Sequence, residues 1–335
     1  MLGVARHPFA GRWVTPLLGL ALGCGGATAQ GGPPSEPLFV AVGAEGAILS
    51  SRDAQGWSLE HSGITKTLNS VAASDRLFVA VGEGGTILSS ANARSWTARR
   101  SGTEQDLEQV TFDGVEFVAV GGGFSDQAVA LTSLDGVSWK RLEAPPQYSF
   151  QAVATARGTI FAAAVTPSRE LPMALDHVVL ASVLPSTSNR GGWISRDLAS
   201  FSDGLTLESE GESETFLVGS WNGESTISRS RDGERWQSEP LALPDARAVA
   251  AGSGRFVVLG GSAMLVSADG SDWSETSPPV RRGSWLMAVT HGAATFASVG
   301  LDGSIFSSPD GGDWSVESSG VTSDLLDITF GPRGP

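Results

Sequence analysis

The sequence predicts an all-β fold, a seven-bladed β-propeller of four-stranded antiparallel blades that is closed by the C-terminal strand. Three observations support this prediction. A short motif that ends in tryptophan recurs seven times, the apolar runs between its copies do not alternate with polar residues, and the two chain ends carry complementary parts of one blade. Together they indicate sheets packed radially around an axis.

The recurring motif is Ser/Thr-x-Asp/Asn-x-x-x-Trp, which we call the box. Its acidic or amide members are Asp53, Asn92, Asp135, Asn189, Asp232, Asp269 and Asp310, and its tryptophans are Trp57, Trp96, Trp139, Trp193, Trp236, Trp273 and Trp314. Successive Asp or Asn positions are 39, 43, 54, 43, 37 and 41 residues apart. A four-stranded propeller blade needs roughly 40–50 residues, so each box predicts one blade.

The box predicts a structural fastener rather than a catalytic group. An Asp or Asn side chain can accept backbone N–H bonds across a tight turn, and so can the Ser or Thr hydroxyl. Glycine follows the aspartate in four copies, where a positive φ is expected: Gly136, Gly233, Gly270 and Gly311. Seven equivalent carboxylates or amides spread around a rim cannot converge on one substrate.

Four strands, which we call a to d, are predicted in each blade. Strand a has apolar residues three apart, as in Leu68 and Val71, and in blade 5 this pattern falls on Leu198 and Phe201. Strand b is a run such as Phe78–Gly82 that is apolar on both faces, which is typical of a sheet covered on both sides. Strand c ends in the box, and the box tryptophan begins strand d.

The two ends of the chain predict closure of the ring. The first unit begins at Leu38 directly in strand b and lacks its strand a. The last unit is followed by residues 324–330, which match a strand a with Leu325 and Ile328 in the apolar positions. The C-terminal strand is therefore expected to complete blade 1 and leave no sheet edge open.

Composition and the N-terminal segment indicate an exported domain. The net charge of −14 over 335 residues argues against general nucleic-acid binding, which needs basic side chains to neutralise phosphates. A basic start and the short apolar run Val14–Leu22 predict a signal peptide. It ends either at a lipobox whose lipidated residue is Cys24, the only cysteine, or by cleavage after Ala29. The product would be a periplasmic or outer-membrane-anchored lipoprotein, or alternatively a secreted protein.

The predicted organisation is then a signal peptide over residues 1–24, a Gly/Pro-rich tether over 25–37, one propeller over 38–330 and a tail over 331–335. Within the propeller, three loops depart from the repeat. The b–c turns of blades 3 and 4 are expected at Gly122–Gln127 and Thr166–His177, and an acidic, mobile a–b loop of blade 5 is expected at Ser202–Glu214.

The boxes resemble the Asp-box, or bacterial neuraminidase, repeat. The nearest likeness is to propellers of the photosystem II assembly-factor type, which carry the phrasing VGEGGTILSS…W…SGT…L seen here, and it covers roughly residues 38–330. In three copies the glycine after the Asp or Asn is replaced, by Ala54, Ala93 and Arg190. This resemblance implies a scaffold for a membrane-protein client. A sialidase would need a tyrosine nucleophile paired with Glu, and the single tyrosine, Tyr148, has no adjacent glutamate.

Function on a repeat scaffold is expected where the copies differ. The b–c and d–a loops share one face of the disk, and aromatic residues outside the repeat fall on that face beside two arginines. A binding patch is therefore predicted there, with these members: Phe124, Tyr148, Trp221, Asn222, Arg281, Arg282 and Trp285. The alternative is that Trp221 and Trp285 only pack against neighbouring loops.

These patterns predict an exported, monomeric, non-catalytic binding or scaffold module for an envelope protein or a glycan. No cofactor or metal site is predicted, because His61, His177 and His291 are scattered without metal-ligand spacing. The alternative is a glycosidase that works at the central mouth with two carboxylates about 5–10 Å apart. Its candidates lie in b–c loops: Glu45, Glu83, Glu170, Glu224 and Asp302.

Overall fold

The computed structural model describes residues 37–122, 128–144, 148–156, 159–167, 175–183, 193–196, 203–210, 214–221, 224–230, 235–276, 278–279 and 285–331. These residues form seven four-stranded antiparallel sheets, each with its strands in the order a-b-c-d. The predicted all-β propeller architecture is confirmed. The predicted signal peptide, with Cys24 and Ala29, and most of the tether lie outside the described residues, as does most of the tail.

The strands of blades 1 to 4 have the following bounds. Blade 1 contains β28 (Leu325–Gly331), β1 (Leu38–Gly43), β2 (Ile48–Ser51) and β3 (Ser58–Glu60). Blade 2 contains β4 (Leu68–Ala73), β5 (Phe78–Gly82), β6 (Thr86–Ser90) and β7 (Thr97–Arg99). Blade 3 contains β8 (Leu107–Phe112), β9 (Phe117–Gly121), β10 (Val129–Ser133) and β11 (Lys140–Arg141). Blade 4 contains β12 (Ser149–Ala156), β13 (Thr159–Pro167), β14 (Leu175–Val183) and β15 (Ile194–Arg196).

Blades 5 to 7 continue the pattern. Blade 5 contains β16 (Asp203–Glu210), β17 (Glu214–Trp221), β18 (Glu224–Ser230) and β19 (Gln237–Leu241). Blade 6 contains β20 (Ala246–Gly252), β21 (Arg255–Gly260), β22 (Ala263–Ser267) and β23 (Ser274–Thr276). Blade 7 contains β24 (Leu286–Gly292), β25 (Thr295–Gly300), β26 (Ile305–Ser308) and β27 (Ser315–Glu317). Short 3-10 turns join strands b and c in blades 1, 2 and 7, at Ala44–Gly46, Glu83–Gly85 and Leu301–Gly303.

The C-terminal strand completes the first sheet, as the chain ends predicted. Strand β28 pairs antiparallel with β1, with Leu38 opposite Gly331 and Val42 opposite Asp327. Each strand a also contacts the strand a of the next blade, from β4 through β8, β12, β16, β20 and β24 to β28 and back to β4. The seven innermost strands therefore surround a central channel.

The spacing of three in strand a has a structural cause. In blade 2 the register shifts between Leu68 and Ser70, so Asn69 is an extra, bulged residue. A bulge interrupts the two-residue alternation, which is why Leu68 and Val71 both reach the core although they are three residues apart. Five other blades have the same shift, with these bulged residues: Glu108, Gln151, Arg247, Met287 and Leu326.

The core lies between the blades. One buried cluster combines Phe39 and Leu49 of blade 1 with Ala297 and Val299 of blade 7, and similar clusters fill the other interfaces that the structure describes. Strand b is buried on both faces, and alanine in its middle, such as Ala80, contributes little volume between adjacent sheets. Both sides of each sheet are therefore covered by neighbours, as the apolar runs predicted.

The boxes fasten the c–d turns as predicted. In blade 1 the Asp53 carboxylate accepts the N–H groups of Gln55 and Gly56 at 2.9 and 3.0 Å. These N–H donors, chiefly that of Gly56, hold the pKa of Asp53 below its usual range. The same pattern of bonds is present in the boxes of four other blades, at Asn92, Asp135, Asp269 and Asp310. Asn189 and Asp232 lie outside the described residues.

In the five described boxes, the residue after the Asp or Asn has a positive φ whether or not it is glycine. Gly136, Gly270 and Gly311 have the expected conformation, and so do Ala54 and Ala93. The box tryptophans are half-buried rather than fully buried. An energy calculated for full burial of the side chain therefore overestimates how much each tryptophan stabilises the fold. The indole N–H of Trp57, Trp96 and Trp314 donates to the carbonyl three residues earlier.

Two loop predictions were wrong. Residues 203–210 form strand a of blade 5 and residue 214 begins its strand b, so the acidic segment Ser202–Glu214 is not a loop, and strand a does not fall on Leu198 and Phe201. Leu205 and Leu207 alternate with polar residues, which is typical of a strand. Leu198 and Phe201 match only the spacing of three, and the prediction relied on that spacing. The b–c turn of blade 4 is shorter than Thr166–His177, because the β13–β14 pairing extends to Pro167 opposite Leu175.

Among the described residues, no helix is long and apolar enough to cross a membrane.

The box position that follows the aspartate packs against the preceding blade, which gives a test of the blade interface. A Cβ added to Gly136 would lie 2.5 Å from Leu77 Cδ2 and 3.0 Å from Val79 Cγ2 of blade 2. We expect Gly136→Ala to lower the free energy of unfolding in urea by about 1–3 kcal/mol beyond the cost of backbone strain.

The matched control is Gly63→Ala. Gly63 has a φ of +77° and no heavy atom within 4 Å of the added Cβ, so it measures strain alone, about 1–2 kcal/mol. Equal losses for the two variants would show that the blade interface at Gly136 accommodates the methyl group.

Candidate functional site

The direction of the strands sorts the turns onto two faces. Strand a runs from a d–a loop to an a–b turn, and strand b returns to a b–c turn, so b–c and d–a loops share one face. We call this the upper face. The a–b turns and the boxes, which form the c–d turns, share the opposite, lower face. The sequence placed the predicted binding patch on the upper face.

In the regular blades the upper-face turns are held by hydrogen bonds to neighbouring loops. The Glu83 carboxylate accepts the Thr67 N–H at 3.0 Å, and this bond lowers the pKa of Glu83. The Glu45 carboxylate accepts the Ser323 hydroxyl at 2.9 Å. Two of the glycosidase candidates thus serve as loop acceptors. Glu224 begins β18 and is exposed, and Glu170 lies outside the described residues.

Trp285 is an exposed aromatic residue on the upper face. It directly precedes β24, and 41% of its surface is accessible. The guanidinium carbon of Arg247 lies 5.0 Å from the centre of the Trp285 ring, within the range of a cation–π interaction. Arg247 is the bulged residue of blade 6, and its Nη1 is also 3.6 Å from the Met287 sulfur. An aromatic ring and a cation are thus presented together at the end of the channel nearer the upper face.

Sequence reasoning found Trp285 but missed Arg247. The arginines that it placed beside Trp285, Arg281 and Arg282, lie outside the described residues, as do Phe124 and Asn222. Tyr148 is half-buried and packs against the core between blades 3 and 4. Trp221 is the last residue of β17, paired with Glu224. The described contacts do not bring these predicted residues together.

The channel contains a cavity of about 220 Å³ lined by strand a residues of blades 1, 2, 3, 4, 6 and 7. Most of its lining residues have apolar side chains, but the surface that faces the cavity is more polar than apolar, and threonines, Gln109 and Asp327 supply the polar side chains. Among the described residues that line it, Asp327 carries the only carboxylate. A pair of carboxylates flanking a glycosidic bond is not formed by these lining residues.

Polar side chains connect successive inner strands. The Asp327 Oδ2 accepts the Ser70 hydroxyl at 2.6 Å and the Val71 N–H at 2.9 Å, both in blade 2. The Ser70 hydroxyl oxygen in turn accepts the Val110 N–H of blade 3 at 3.2 Å.

Gln109 continues this chain one blade further, because its Oε1 accepts the Val153 N–H of blade 4 at 2.7 Å. Asp327, Ser70 and Gln109 occupy equivalent positions directly after the bulge, where blades 4, 6 and 7 have alanine: Ala152, Ala248 and Ala288.

Asp327 is therefore the acid that joins the closing strand to blade 2. Burial raises its pKa to about 6, although the Ser70 hydroxyl and the N–H groups of Val71 and Ile328 favour the charged form. Sequence reasoning did not single it out, since it lies between two apolar positions of an ordinary strand a. Aligning the seven inner strands on their bulges would have revealed it as the one acid after the bulge.

No metal site is visible in the described part of the chain, where no group of three or more His, Cys, Asp or Glu side chains converges. His291 donates to or accepts from the Ser253 hydroxyl at 2.9 Å and lies 4.6 Å from the Phe296 ring. Burial lowers the pKa of His291. His61 lies at the end of blade 1, in an isolated bridge with Ser95 of blade 2.

Comparison with known proteins identifies the fold. No protein-family model matches the sequence, and no curated protein matches it. A solved structure of YCF48 bound to a D1 peptide is 16% identical, has a TM-score of 0.58, and the match covers 88% of this chain and 96% of that one.

Two further matching structures have names that refer to enzymes. A quinonprotein alcohol dehydrogenase-like protein from Bacteroides thetaiotaomicron is 11% identical, has a TM-score of 0.63, and the match covers 88% of this chain and 78% of that one. Virginiamycin B lyase from Staphylococcus aureus is 9% identical, has a TM-score of 0.53, and the match covers 89% of this chain and 92% of that one. At these identities the likeness shows the β-propeller fold alone.

The position of Asp327 generates a prediction of pH dependence. Its pKa is raised in the folded state, so the folded chain binds more protons than the unfolded chain between pH 4 and 6. The free energy of unfolding should therefore fall as pH rises through this window, by up to about 3 kcal/mol, and this component should be absent in Asp327→Asn.

Urea unfolding of the two proteins at a series of pH values measures the difference. Asp310→Asn is the control, because N–H donors lower the pKa of Asp310 and its contribution changes only at more acidic pH. The opposite outcome is that the free energy of unfolding of the wild type rises relative to that of Asp327→Asn as pH rises. This outcome would show that the pKa of Asp327 is lowered, because the three hydrogen-bond donors outweigh burial.

Proposed function

We propose that this chain is an exported, non-catalytic propeller that binds an envelope protein through its upper face. The observation that carries the proposal is the exposed Trp285 ring stacked on Arg247. Tryptophan and arginine are the residues most enriched at the energetic centres of protein interfaces. The anchor at Cys24, or cleavage after Ala29, would place this module in the periplasm, at the outer membrane or outside the cell.

The fold does not require a tryptophan at position 285. The residue before strand a has a backbone role in several blades: the carbonyls of Thr67, Asp106 and Asp324 accept an N–H from the b–c turn, and so does that of Trp285. The side chains at this position in the other described blades are small or acidic: Thr67, Asp106, Ser149, Asp245 and Asp324. The backbone contact thus recurs in blades 1, 2, 3 and 7, whereas among the blades described at this position the exposed ring is particular to blade 7.

A protein partner is favoured over a glycan. The YCF48 propeller, which shares the fold, has been solved with a D1 peptide bound, so a propeller of this kind can hold a polypeptide. Besides Trp285, the sequence predicts that the patch includes Phe124, Trp221, Asn222, Arg281 and Arg282, whereas Tyr148 packs against the core. A patch of that predicted extent would suit a protein interface.

The non-catalytic assignment is supported by the use of the carboxylates. Glu45 and Glu83 accept hydrogen bonds from neighbouring loops, and Asp327 is buried against Ser70 and Val71. A glycosidase at the mouth would need two carboxylates free to act as acid and as base or nucleophile. Clear turnover of aryl glycosides by the purified protein would overturn the assignment.

Replacement of Trp285 by the residue of blade 2 tests the binding face. Trp285→Thr should weaken binding of a partner, identified by crosslinking and pull-down from envelope fractions, by roughly tenfold or more, because a central aromatic anchor is removed. The melting temperature should stay close to that of the wild type, since 41% of the surface of Trp285 is already accessible and the backbone contact at this position is retained.

Val316→Thr is the matched control. Val316 is 62% exposed on the outer strand β27, away from the upper face, so its replacement should leave binding unchanged. Equal weakening by both variants, or a large drop in the melting temperature of Trp285→Thr, would contradict the proposed role of Trp285. Displacement of the partner by free glycans would instead favour the glycan alternative.

A further inference from the structure

The N-terminal segment joins the propeller on its lower face. Leu38 opens β1, and the other end of β1 leads into the b–c turn of the upper face. Leu38 pairs with Gly331, and Phe39 pairs with Ser51 of the first box. The 13 residues of Gly25–Pro37, which follow Cys24, span at most about 45 Å when fully extended. An anchor at Cys24 would therefore keep the propeller close to a membrane and favour contact through the lower face.

An apolar patch lies on this same face. Of the large hydrophobic side chains that are exposed in the described residues, three belong to the two lower-face turns of blade 3. Val115 in the a–b turn is 53% exposed, and Leu134 and Val137 in the box are 67% and 39% exposed. We call these three residues the blade 3 patch. Isolated exposed apolar residues are common, but a group confined to one blade end calls for a specific cause.

The other blades show that the boxes do not need these side chains. The residue at the position of Leu134 is polar, small or proline in the other described boxes: Arg52, Ala91, Ala268 and Pro309. The residue at the position of Val137 is Gln55, Arg94, Ser271 or Gly312. All these boxes form the same turn with the same N–H bonds to the Asp or Asn. The apolar residues of blade 3 are therefore additions to the repeat.

The a–b turn of blade 3 inverts the usual arrangement of polar and apolar residues. In blade 2 the turn exposes Arg76, while Leu77 packs against the core between blades 2 and 3. In blade 3 the equivalent residues are Val115, which is exposed, and Glu116, which is buried. In both turns these two residues donate their backbone N–H groups to one side chain, the Ser74 hydroxyl in blade 2 and the Asp113 carboxylate in blade 3. Burial of apolar surface alone would favour the opposite order.

We propose that the blade 3 patch contacts a lipid surface, with Val115, Leu134 and Val137 entering the headgroup layer. The row of rings formed by Phe112, Phe117 and Trp139 lies within blade 3, with centroids 4.7 and 6.4 Å apart, and joins the inner strand to the box. This row provides a rigid base for the two turns. The contact leaves the upper face, with Trp285, turned away from the membrane and accessible to a partner.

Insertion rather than charge drives this contact. Exposed arginines lie on the same face of blades 1 and 2, at positions 52, 76 and 94, but carboxylates alternate with them on that face. Asp75 pairs with Arg76 at 3.4 Å, and the Asp113 and Asp135 carboxylates accept backbone N–H groups. The net charge of −14 opposes adsorption to anionic lipid. Binding should therefore depend weakly on salt, unlike binding through a basic patch.

Site-specific labels test the contact directly. In the full chain with Cys24→Ser, an environment-sensitive fluorophore is attached to Leu134→Cys, and vesicles of the zwitterionic lipids phosphatidylethanolamine and phosphatidylcholine are added. The emission at position 134 should shift to the blue as the label enters the headgroup layer. Labels at Ser271→Cys, the equivalent of Val137 in blade 6, and at Leu59→Cys, 62% exposed on an outer strand, should not shift.

A second measurement uses substitutions with residues of the kind found in sibling blades. The triple variant Val115→Ser, Leu134→Ala and Val137→Ser should lower partitioning onto these vesicles by about tenfold or more, while urea unfolding shows no loss of stability. No shift at position 134, or equal shifts at all three labels, would overturn the proposal. A blue shift without lipid that grows with protein concentration would also overturn it, in favour of contact between two copies of the chain.

The inference is separable from the proposed function, because the two are tested at opposite faces. Trp285→Thr should leave vesicle binding unchanged, and the triple variant should leave the affinity for a soluble partner unchanged.

Discussion

Every blade of this propeller buries both faces of its sheet, so each blade depends on two neighbours. The buried clusters between adjacent blades show this directly: in one of them, residues of blade 1 pack against Ala297 and Val299 of blade 7. In the first blade the innermost strand is the C-terminal strand β28, and its Asp327 bonds to Ser70 and Val71 of the next blade. A buried acid is thus placed at the joint where the two ends of the chain meet.

Sequence patterns predicted the parts of the fold that are determined locally. The boxes were recognisable because an Asp or Asn that accepts two nearby N–H groups acts within one turn, and strand b was recognisable because burial on both faces requires an unbroken apolar run. The inner strand of blade 5 was mispredicted for a physical reason. The spacing of three reflects a bulge, and in blade 5 the register shift falls between Asp203 and Thr206, downstream of the residues that matched the rule.

The candidate site could be predicted only in part, because its groups come from distant parts of the chain. Trp285 stands out as an aromatic residue outside the repeat, but its partner Arg247 lies in the preceding inner strand and becomes its neighbour only through packing of blades 6 and 7. The chain of Asp327, Ser70 and Gln109 is similar. Each residue looks ordinary in its own strand, and the bonds between blades become apparent only when the inner strands are placed side by side.

In a repeat protein, the equivalent positions of the other blades show which features of a position the fold requires. This comparison can be made on each face. Backbone contacts recur from blade to blade, as in the carbonyl before strand a that accepts an N–H from the b–c turn. Side chains that depart from the repeat without changing those contacts are not needed for the fold. Trp285 departs in this way on the upper face and Val115 on the lower face, and both expose apolar surface that the equivalent residues do not. Because such exposure costs solubility without strengthening the core, these departures support the proposals that both surfaces contact something other than the propeller itself.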